Sequence, residues 1–313
     1  MRLRGNLDCE ARWAGAALPD TVVRRISLYA TLFAACVPDE RDGERHEVIV
    51  PAPVDTTRLL AHRRWLPPLV RVERAAPEPA ELAWADPAAK DANDRSRTLA
   101  IAQALGVALP GARTIGSLDE LDGHLREVPG AWVCKARWTA AGRDRVHGLG
   151  PAEGELRVRL GRMLERLGPL VFEPWLDRLA DFGTCGEITD AAITVRAPHR
   201  LRSDPRGGFL GIELGDVDPD VAARLQATAR AAAERVAAAG YRGPFAVDAF
   251  LYRGAAGPAL HPLCELNARW SFGWIAHALA RRLAARQLGF DPAPAEATVL
   301  IAPAADRVTA WCA

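Results

Sequence analysis

The segment CELNARWSFG at 264–273 alternates residue types in a way that could support chemistry. Glu265, Asn267 and Arg269 lie two positions apart, and on a β-strand such positions point to the same face of the sheet. Carboxylate and amide oxygens are ligands that suit magnesium, which usually completes its shell with water and phosphate oxygens. The pattern therefore indicates either a magnesium–phosphate site or the exposed polar face of an antiparallel sheet.

A second acidic residue, Asp248, lies in the apolar segment FAVDAF. The stretches 244–253 and 261–269 have the composition of strands and are joined by the turn sequence GAAGPA. If they pair as a hairpin, Asp248 comes close to Glu265 and Asn267. The three side chains would then offer two carboxylates and an amide oxygen to a metal ion.

Lys135 stands in the predicted strand AWVCKAR at 131–137, and a small-residue loop that contains Gly142 follows it. Lys135 is either an edge residue that reaches solvent or a cation that holds a phosphate, with the loop amides as further donors. The chain contains no GKS/T sequence of the Walker A type and no GxGxxG sequence before a helix. Those two common nucleotide motifs are therefore excluded.

The segment VFEPWLDRLADF at 171–182 places two acids, Glu173 and Asp181, eight residues apart around a Pro-Trp-Leu turn. One interpretation is a hinge between domains with two solvated acids. The other is a hinge that binds a nucleotide base through backbone groups, with a carboxylate at the ribose hydroxyls. The segment alone does not decide between them.

Helices and strands alternate in a way that could position these residues. Capping residues and apolar spacing predict helices over 93–106, 117–130, 153–167, 218–240 and 274–289. Strands are predicted over 131–137, 169–176, 244–253 and 261–269, and a meander of short strands is predicted over 181–214. This order favours an α+β (mixed α/β) fold, with antiparallel strands and helices packed on one side.

The order of these motifs along the chain resembles the ATP-grasp superfamily, which includes D-alanine–D-alanine ligase, biotin carboxylase and glutathione synthetase. The resemblance covers about residues 90–289 and rests on Arg95, Lys135 with its loop, Glu173 to Leu176 with Asp181, Asp248, and Glu265 with Asn267. It implies two α+β subdomains that clamp the nucleotide, at 92–172 and 173–313. A small α/β N-terminal lobe would precede them at 1–91.

The resemblance also implies a nucleotide site. Lys135 and Arg95 would contact the phosphates, although the family usually has a lysine where this chain has Arg95, and Gly142 belongs to the covering loop. Glu173 would face the adenine amino group, and Asp181 would reach the ribose. The segment Pro174, Trp175 and Leu176 would supply the base contacts, through the carbonyl of Pro174 and the amide of Leu176.

Asp248, Glu265 and Asn267 match the family's metal ligands, which implies ATP with two magnesium ions, for which manganese can substitute. Several members carry an arginine two residues before the first metal acid, where this chain has Ala246. Arg269 is the replacement we expect, and it stands with Lys135 as a catalytic residue. Other candidates lie on the meander, namely Arg196, Arg200 and Arg202, for which a solvated basic face is the alternative interpretation.

The composition of the chain limits the classes of partner that it could bind. The 313 residues contain 40 Lys and Arg against 39 Asp and Glu, for a net charge of +1, so nothing indicates binding to nucleic acid or to a membrane surface. The apolar run at 26–37 is too short to span a bilayer. The six cysteines are scattered without a CxxC pair, which is typical of a cytoplasmic protein with reduced thiols.

We therefore predict an ATP-dependent carboxylate–amine, or carboxylate–thiol, ligase that acts on a small carboxylic acid, amino acid or peptide through an acylphosphate. A mobile loop over 138–150 would exclude water from that intermediate. Two alternatives stay open, namely a phosphotransferase that uses the same ATP site and a non-catalytic nucleotide-binding regulator. The sequence identifies neither the substrates nor the oligomeric state, for which a homodimer is one alternative.

Overall fold

The computed structural model describes residues 2–15, 17–37, 47–59, 70–72, 86–138, 144–204 and 208–313. Within these ranges the strands form three sheets, and helices lie between them along the chain. The predicted α+β class is confirmed.

The first sheet is parallel and is built by the N-terminal part of the chain. Its strands are β1 (Arg2–Arg4), β2 (Glu47–Val50) and β3 (Val70–Val72), paired in that order. The helices of this part are α1 (Cys9–Trp13) and α2 (Asp20–Ala30), with 3-10 helices at Thr31–Cys36 and Thr56–Leu59. The apolar run at 26–37 is thus helical up to Cys36.

The second sheet is antiparallel and carries Lys135 and Glu173. Its strands are β4 (Arg113–Ile115), β5 (Ala131–Ala136), β6 (Arg145–Leu149) and β7 (Leu170–Pro174), in the spatial order β4-β7-β5-β6. The helices of this part are α3 (Pro87–Ala92), α4 (Arg95–Ala104), α5 (Leu118–Glu127) and α6 (Gly154–Leu167). Trp132, Cys134 and Ala136 are buried in one core with residues of α5 and α6, so Lys135 points to the opposite face.

The third sheet is antiparallel and carries the remaining predicted site residues. Its described strands are β8 (Arg178–Ile188), β9 (Ile193–Val195), β10 (His199–Ser203), β11 (Phe209–Leu214), β12 (Gly243–Gly254), β13 (Gly257–Asn267), β14 (Gln287–Gly289), β15 (Thr298–Ile301) and β16 (Ala310–Cys312). They pair in the order β13-β12-β8-β10-β11-β14-β16-β15, and β9 pairs with β8. Two helices belong to this part, α7 (Pro219–Ala238) and α8 (Phe272–Leu283).

The alternation of side chains along β12 separates the core from the site. Phe245 and Val247 are buried in one cluster with Ala229 of α7. Their neighbours Ala246 and Asp248 therefore point to the other face of the sheet. This second face carries the candidate site.

The clearest differences from the predicted element boundaries lie at the last helix and at the hairpin turn. The helix predicted over 274–289 ends at Leu283, because Ala284 adopts a left-handed conformation (φ 55°) and Gln287–Gly289 pairs with β11 and β16. The hairpin turn is also shorter than GAAGPA, since Gly254 already pairs with Gly257. In both places the strand extends because a partner strand supplies hydrogen bonds, which local composition does not reveal.

The N-terminal segment shares a core with the third part of the chain. Leu28 and Phe33 are buried in one cluster with Ile275 and Leu279 of α8. The second and third sheets meet in sequence between Pro174 and Arg178. The predicted division into 1–91, 92–172 and 173–313 stays a prediction.

Candidate functional site

Asp248 and Glu265 oppose each other across the β12–β13 hairpin, and Ala246 opposes Asn267 two residues further along, on the same face. Directly opposed residues have β-carbons about 4.5–5.5 Å apart, so two carboxylates lie close together here. Burial, and after it the charge of Glu265, raise the pKa of Asp248 to about 7. A cation held between the two carboxylates would remove this repulsion, and magnesium suits such oxygen donors.

The third member of the predicted metal set is an amide rather than an acid. Asn267 is buried, at 8% exposure, at the end of β13. Within the described ranges, no group of three or more His, Cys, Asp or Glu side chains could hold a metal ion. The magnesium ligands Asp248, Glu265 and Asn267 stay a prediction that the donor chemistry fits.

Arg95 joins the second sheet to this carboxylate pair. It is the first residue of α4, which Asp94 caps by accepting a hydrogen bond from the amide of Ser96. Its guanidinium donates to the Glu265 carboxylate at 2.8 Å and to the carbonyl of Ala136, at the end of β5, at 3.0 Å. A positive charge from α4 therefore lies directly on the predicted metal acid.

Lys135 and Glu173 lie on the same face of the second sheet and form an ion pair with each other. Their side chains are only 15% and 11% exposed. Burial opposes the charged form of both groups, yet their mutual attraction raises the pKa of Lys135 and lowers that of Glu173. The structure therefore brings together two residues for which the sequence predicts separate contacts, with phosphate and with adenine.

The hinge after β7 combines an exposed aromatic ring with a partly buried leucine. The amide of Trp175 donates to the carbonyl of Ala131 at 2.8 Å, and the Trp175 side chain is 42% exposed. Leu176 packs in the cluster that contains Val171 and Phe250. Among the described residues, the Leu176 amide has no hydrogen-bond acceptor, so it is available to a ligand.

Asp181 lies at the start of β8 and pairs with Arg178 at 2.9 Å. The Arg178 guanidinium also lies 3.9 Å from the centre of the Phe250 ring. The predicted ribose acid is therefore half-buried beside a cation, on the same face as the carboxylate pair, because Phe250 is its partner across the strands.

Arg269 lies beside Asn267, as the two-residue spacing predicts, and donates to its side-chain oxygen at 3.2 Å. Its stronger contact is with Glu10 of α1, at 2.6 Å from both Nε and a terminal nitrogen. Glu10 is 3% exposed. Nothing in the sequence around Glu10 indicates a partner more than 250 residues away.

The three meander arginines have different surroundings. Arg202 pairs with Asp291 at 2.7 Å, and Arg200 is exposed on β10. Arg196 lies over the ring of Trp274, at 4.4 Å from its centre. Among the described residues, Arg202 is the only one of these three arginines that pairs with an acid.

Some predictions fall outside the described ranges. Gly142, and with it the centre of the predicted loop 138–150, is among them.

The six cysteines are unpaired thiols. In the part of the chain that the structure describes, no helix has the length and apolar character needed to cross a membrane.

Comparison with known proteins bears on the fold. No family model matches the chain, and no curated protein matches it by sequence. N5-carboxyaminoimidazole synthetase from Staphylococcus aureus, solved with ADP, matches 90% of this chain and 72% of its own at 12% identity and a TM-score of 0.54. The biotin carboxylase domain of Hydrogenobacter thermophilus 2-oxoglutarate carboxylase, a dimer with MgADP and bicarbonate, matches 71% of this chain and 61% of its own at 14% identity and a TM-score of 0.51.

A third solved structure shows how much of such enzymes the chain spans. Carboxyaminoimidazole ribonucleotide synthase from Aspergillus clavatus, complexed with ATP, is 16% identical over 70% of this chain, with a TM-score of 0.45. The chain covers 52% of that enzyme's length, or about half. These proteins are ATP-grasp enzymes, and the chain has the ATP-grasp fold.

Proposed function

We propose that the chain is an ATP-dependent ligase that activates a carboxylic acid as an acylphosphate and transfers the acyl group to an amine or a thiol. One observation carries the proposal: Arg95 reaches from α4 to Glu265 at 2.8 Å. This contact brings a predicted phosphate cation and the opposed carboxylates of Asp248 and Glu265 into one cleft. Such a cleft suits a polyphosphate and its metal ions. No single motif of the chain would indicate this combination of charges.

In this proposal the nucleotide lies between the second and third sheets. Lys135 and Arg95 hold its phosphates, and Asp181 accepts hydrogen bonds from the ribose hydroxyls. The unpaired amide of Leu176 and the carbonyl of Pro174 bind the base, with Glu173 at its amino group and Trp175 beside it. The Gly142 loop covers the phosphates.

Asp248, Glu265 and Asn267 would hold magnesium, which when bound neutralises phosphate charge during phosphoryl transfer. The protein's own part is largely electrostatic, because the transferring phosphoryl group carries negative charge on its outer oxygens. Arg95 and Lys135 supply positive charge at these oxygens. Both cations already lie at fixed positions, held by Ala136 and by Glu173.

The reaction balances as two displacements. A carboxylate oxygen of the acid forms a bond to the γ-phosphorus, and the bond to the β–γ bridging oxygen breaks to release ADP. The nitrogen of an amine then attacks the acyl carbon, phosphate leaves with the carbon–oxygen electron pair, and the nitrogen loses a proton to solvent. A thiol would react in the same way and give a thioester.

The substrates are small molecules in this proposal, a carboxylic acid, amino acid or peptide with an amine partner. We place the reaction in the cytoplasm, because the six cysteines are unpaired. Neither nucleic acid nor a membrane takes part. A homodimer stays an open alternative that size-exclusion chromatography would decide.

The test is a phosphate-release screen with magnesium and ATP over amino acids, dipeptides and simple acids offered in pairs. An amide or thioester product together with ADP and free phosphate would support the ligase. A stable phosphorylated product would identify a phosphotransferase instead. ATP binding without turnover across the screen would support a nucleotide-binding regulator and contradict the proposal.

A further inference from the structure

Four side chains gather between α8 and the face of the third sheet that carries Asp248. They are Arg196, His199, Trp274 and His277, and we call them the Arg196 cluster. The backbone amide of Arg196 donates to Cys185 of β8, and Cys185 is in turn paired with Ala246 of β12. The cluster therefore extends from the part of the sheet that contains Ala246 to helix α8.

Arg196 is a cation without an acidic partner among the described residues. Its guanidinium lies 4.4 Å from the centre of the Trp274 ring, and its Nε is buried without a hydrogen-bond acceptor. The other cations of the cleft are neutralised, Arg95 by Glu265, Lys135 by Glu173 and Arg269 by Glu10. A half-buried guanidinium that lies on an aromatic face and lacks a counter-ion is suited to an incoming anion.

The two histidines add further unpartnered groups. His199 is 3% exposed and its Nδ1 has no hydrogen-bond partner, and the same holds for Nε2 of His277 and Nε1 of Trp274. The two imidazole rings are 5.6 Å apart. Burial lowers the pKa of His199 to about 3 and that of His277 to about 4, so both rings are neutral at pH 7. Buried polar atoms normally have partners, so several orphaned ones in one place indicate a ligand.

Glycine residues let the cluster approach the carboxylates. His199 lies opposite Gly183, and Gly183 lies opposite Asp248 on the next strand. A β-carbon at Gly183 would be 2.6 Å from Nε2 of His199, so only glycine lets this ring lean across the strand. Trp274 packs against Cys185 and Ala246, and Ala246 lies two residues before Asp248 on the same face of β12. Successive positions on one face of a strand are about 7 Å apart, so an anion at Arg196 would lie near the phosphate end of the cleft.

We infer that the Arg196 cluster receives the carboxylate of the acid substrate, with Arg196 as its cation and the indole N–H of Trp274 as a further donor, while the two neutral histidine rings line the site. This inference rests on the proposed function, whose acid substrate must reach the γ-phosphate. Arg196, rather than Arg269, would then supply the positive charge that other family members place at the position of Ala246. Arg269 is already bound to Glu10 and holds the end of β13 against α1.

Histidine NMR tests the inference on the full chain. Protein with ¹³C-labelled histidine is titrated with sodium acetate, the simplest carboxylate, at constant ionic strength and pH 7, and signals are assigned with His199→Gln and His277→Gln. We expect saturable shifts of both signals. Arg196→Gln should raise the acetate Kd at least ~10-fold, because a charge-assisted contact is lost. Arg196→Lys should fall in between, and Arg200→Gln, which removes an exposed arginine of the neighbouring strand, should match the wild type.

The outcomes separate this inference from the proposed function. An unchanged acetate Kd in Arg196→Gln, or no saturable shift in the wild type, would overturn the assignment. Binding of MgADP, followed by calorimetry in the same samples, reports on the nucleotide site and should be equal in all variants. Loss of MgADP binding in the wild type would contradict the proposed function, whereas intact MgADP binding without acetate shifts contradicts only the carboxylate site.

Discussion

Removal of Lys135 should destabilise the protein and make its stability fall as the pH rises from 5 to 7. Lys135 and Glu173 form an ion pair whose side chains are 15% and 11% exposed. Loss of one member of a buried pair leaves an uncompensated charge and costs about 3–5 kcal/mol. Because solvent reaches a small part of both groups, we expect Lys135→Met to lower the free energy of unfolding by about 3 kcal/mol at pH 7.

The pH dependence follows from the directions of the two pKa shifts. Glu173 has a lowered pKa, so its contribution is complete above the unfolded value and is lost as the pH falls through the folded one. Lys135 has a raised pKa, so its contribution is complete below the unfolded value and is lost as the pH rises through the folded one. In the wild type the pair should therefore contribute fully from about pH 5 to about pH 10.

In Lys135→Met the sign changes for Glu173. Burial is the largest influence on this carboxyl and disfavours its charged form, so its pKa should rise above the usual value once the lysine is gone. A raised folded pKa means that the variant loses stability as the pH rises from 5 to 7, whereas the wild-type pair adds no slope there. Urea unfolding followed by circular dichroism at several pH values measures both effects.

Two controls make this prediction specific. Lys90→Met removes the chain's other lysine, which lies 4.8 Å from the centre of the Trp138 ring, and should cost less than about 1 kcal/mol. The double variant Lys135→Met/Glu173→Gln removes both charges and should recover most of the lost stability. A loss below about 1 kcal/mol for Lys135→Met, with a wild-type pH slope, would refute the buried pair.

Three further predictions concern the cleft. Glu265→Gln should lower phosphate release by a factor of at least ~100 while the circular dichroism spectrum is kept, and Glu234→Gln on the exposed side of α7 should keep full activity. Asp181→Ala should raise the Kd of ATP about 10-fold but leave that of 2′-deoxy-ATP unchanged, and an equal loss for both nucleotides would contradict the ribose contact. Glu10→Gln should cost about 3 kcal/mol in urea unfolding because Arg269 is then buried without a counter-ion, and the double variant Glu10→Gln/Arg269→Met should recover stability.

The sequence predicts those features of the site that are local in the chain. The two-residue spacing of Glu265 and Asn267 defines one face of a strand, and the hairpin composition places Asp248 on the neighbouring strand, where the register pairs it with Glu265. These inferences need only the period of a β-strand. The fold class follows from the same kind of reasoning, since helix caps and strand composition are also local.

Pairings between distant segments could not be predicted in the same way. Glu10 and Arg269 are joined only because α1 packs against the end of β13, and neither neighbourhood carries a sign of the other. The solvated-face interpretation of Arg196 failed to foresee Trp274, since α8 comes nearly 80 residues later and contacts β8 only in the folded chain. Side-chain partners across different sheets depend on tertiary packing, which a pattern within one segment does not encode.

The paired charges of the cleft bear on how a nucleotide would bind. Arg95 forms an ion pair with Glu265, and Lys135 forms one with Glu173. Each cation proposed to bind phosphate therefore already has an acidic partner. A phosphate that takes over Arg95 frees Glu265 and returns a negative charge beside Asp248, whose pKa is already raised. That change favours the simultaneous arrival of a divalent cation, because the freed carboxylates and the phosphate oxygens are all hard ligands. The ion pairs therefore couple nucleotide and metal binding, and calorimetry should find ADP affinity much weaker without magnesium; equal affinities would contradict this coupling.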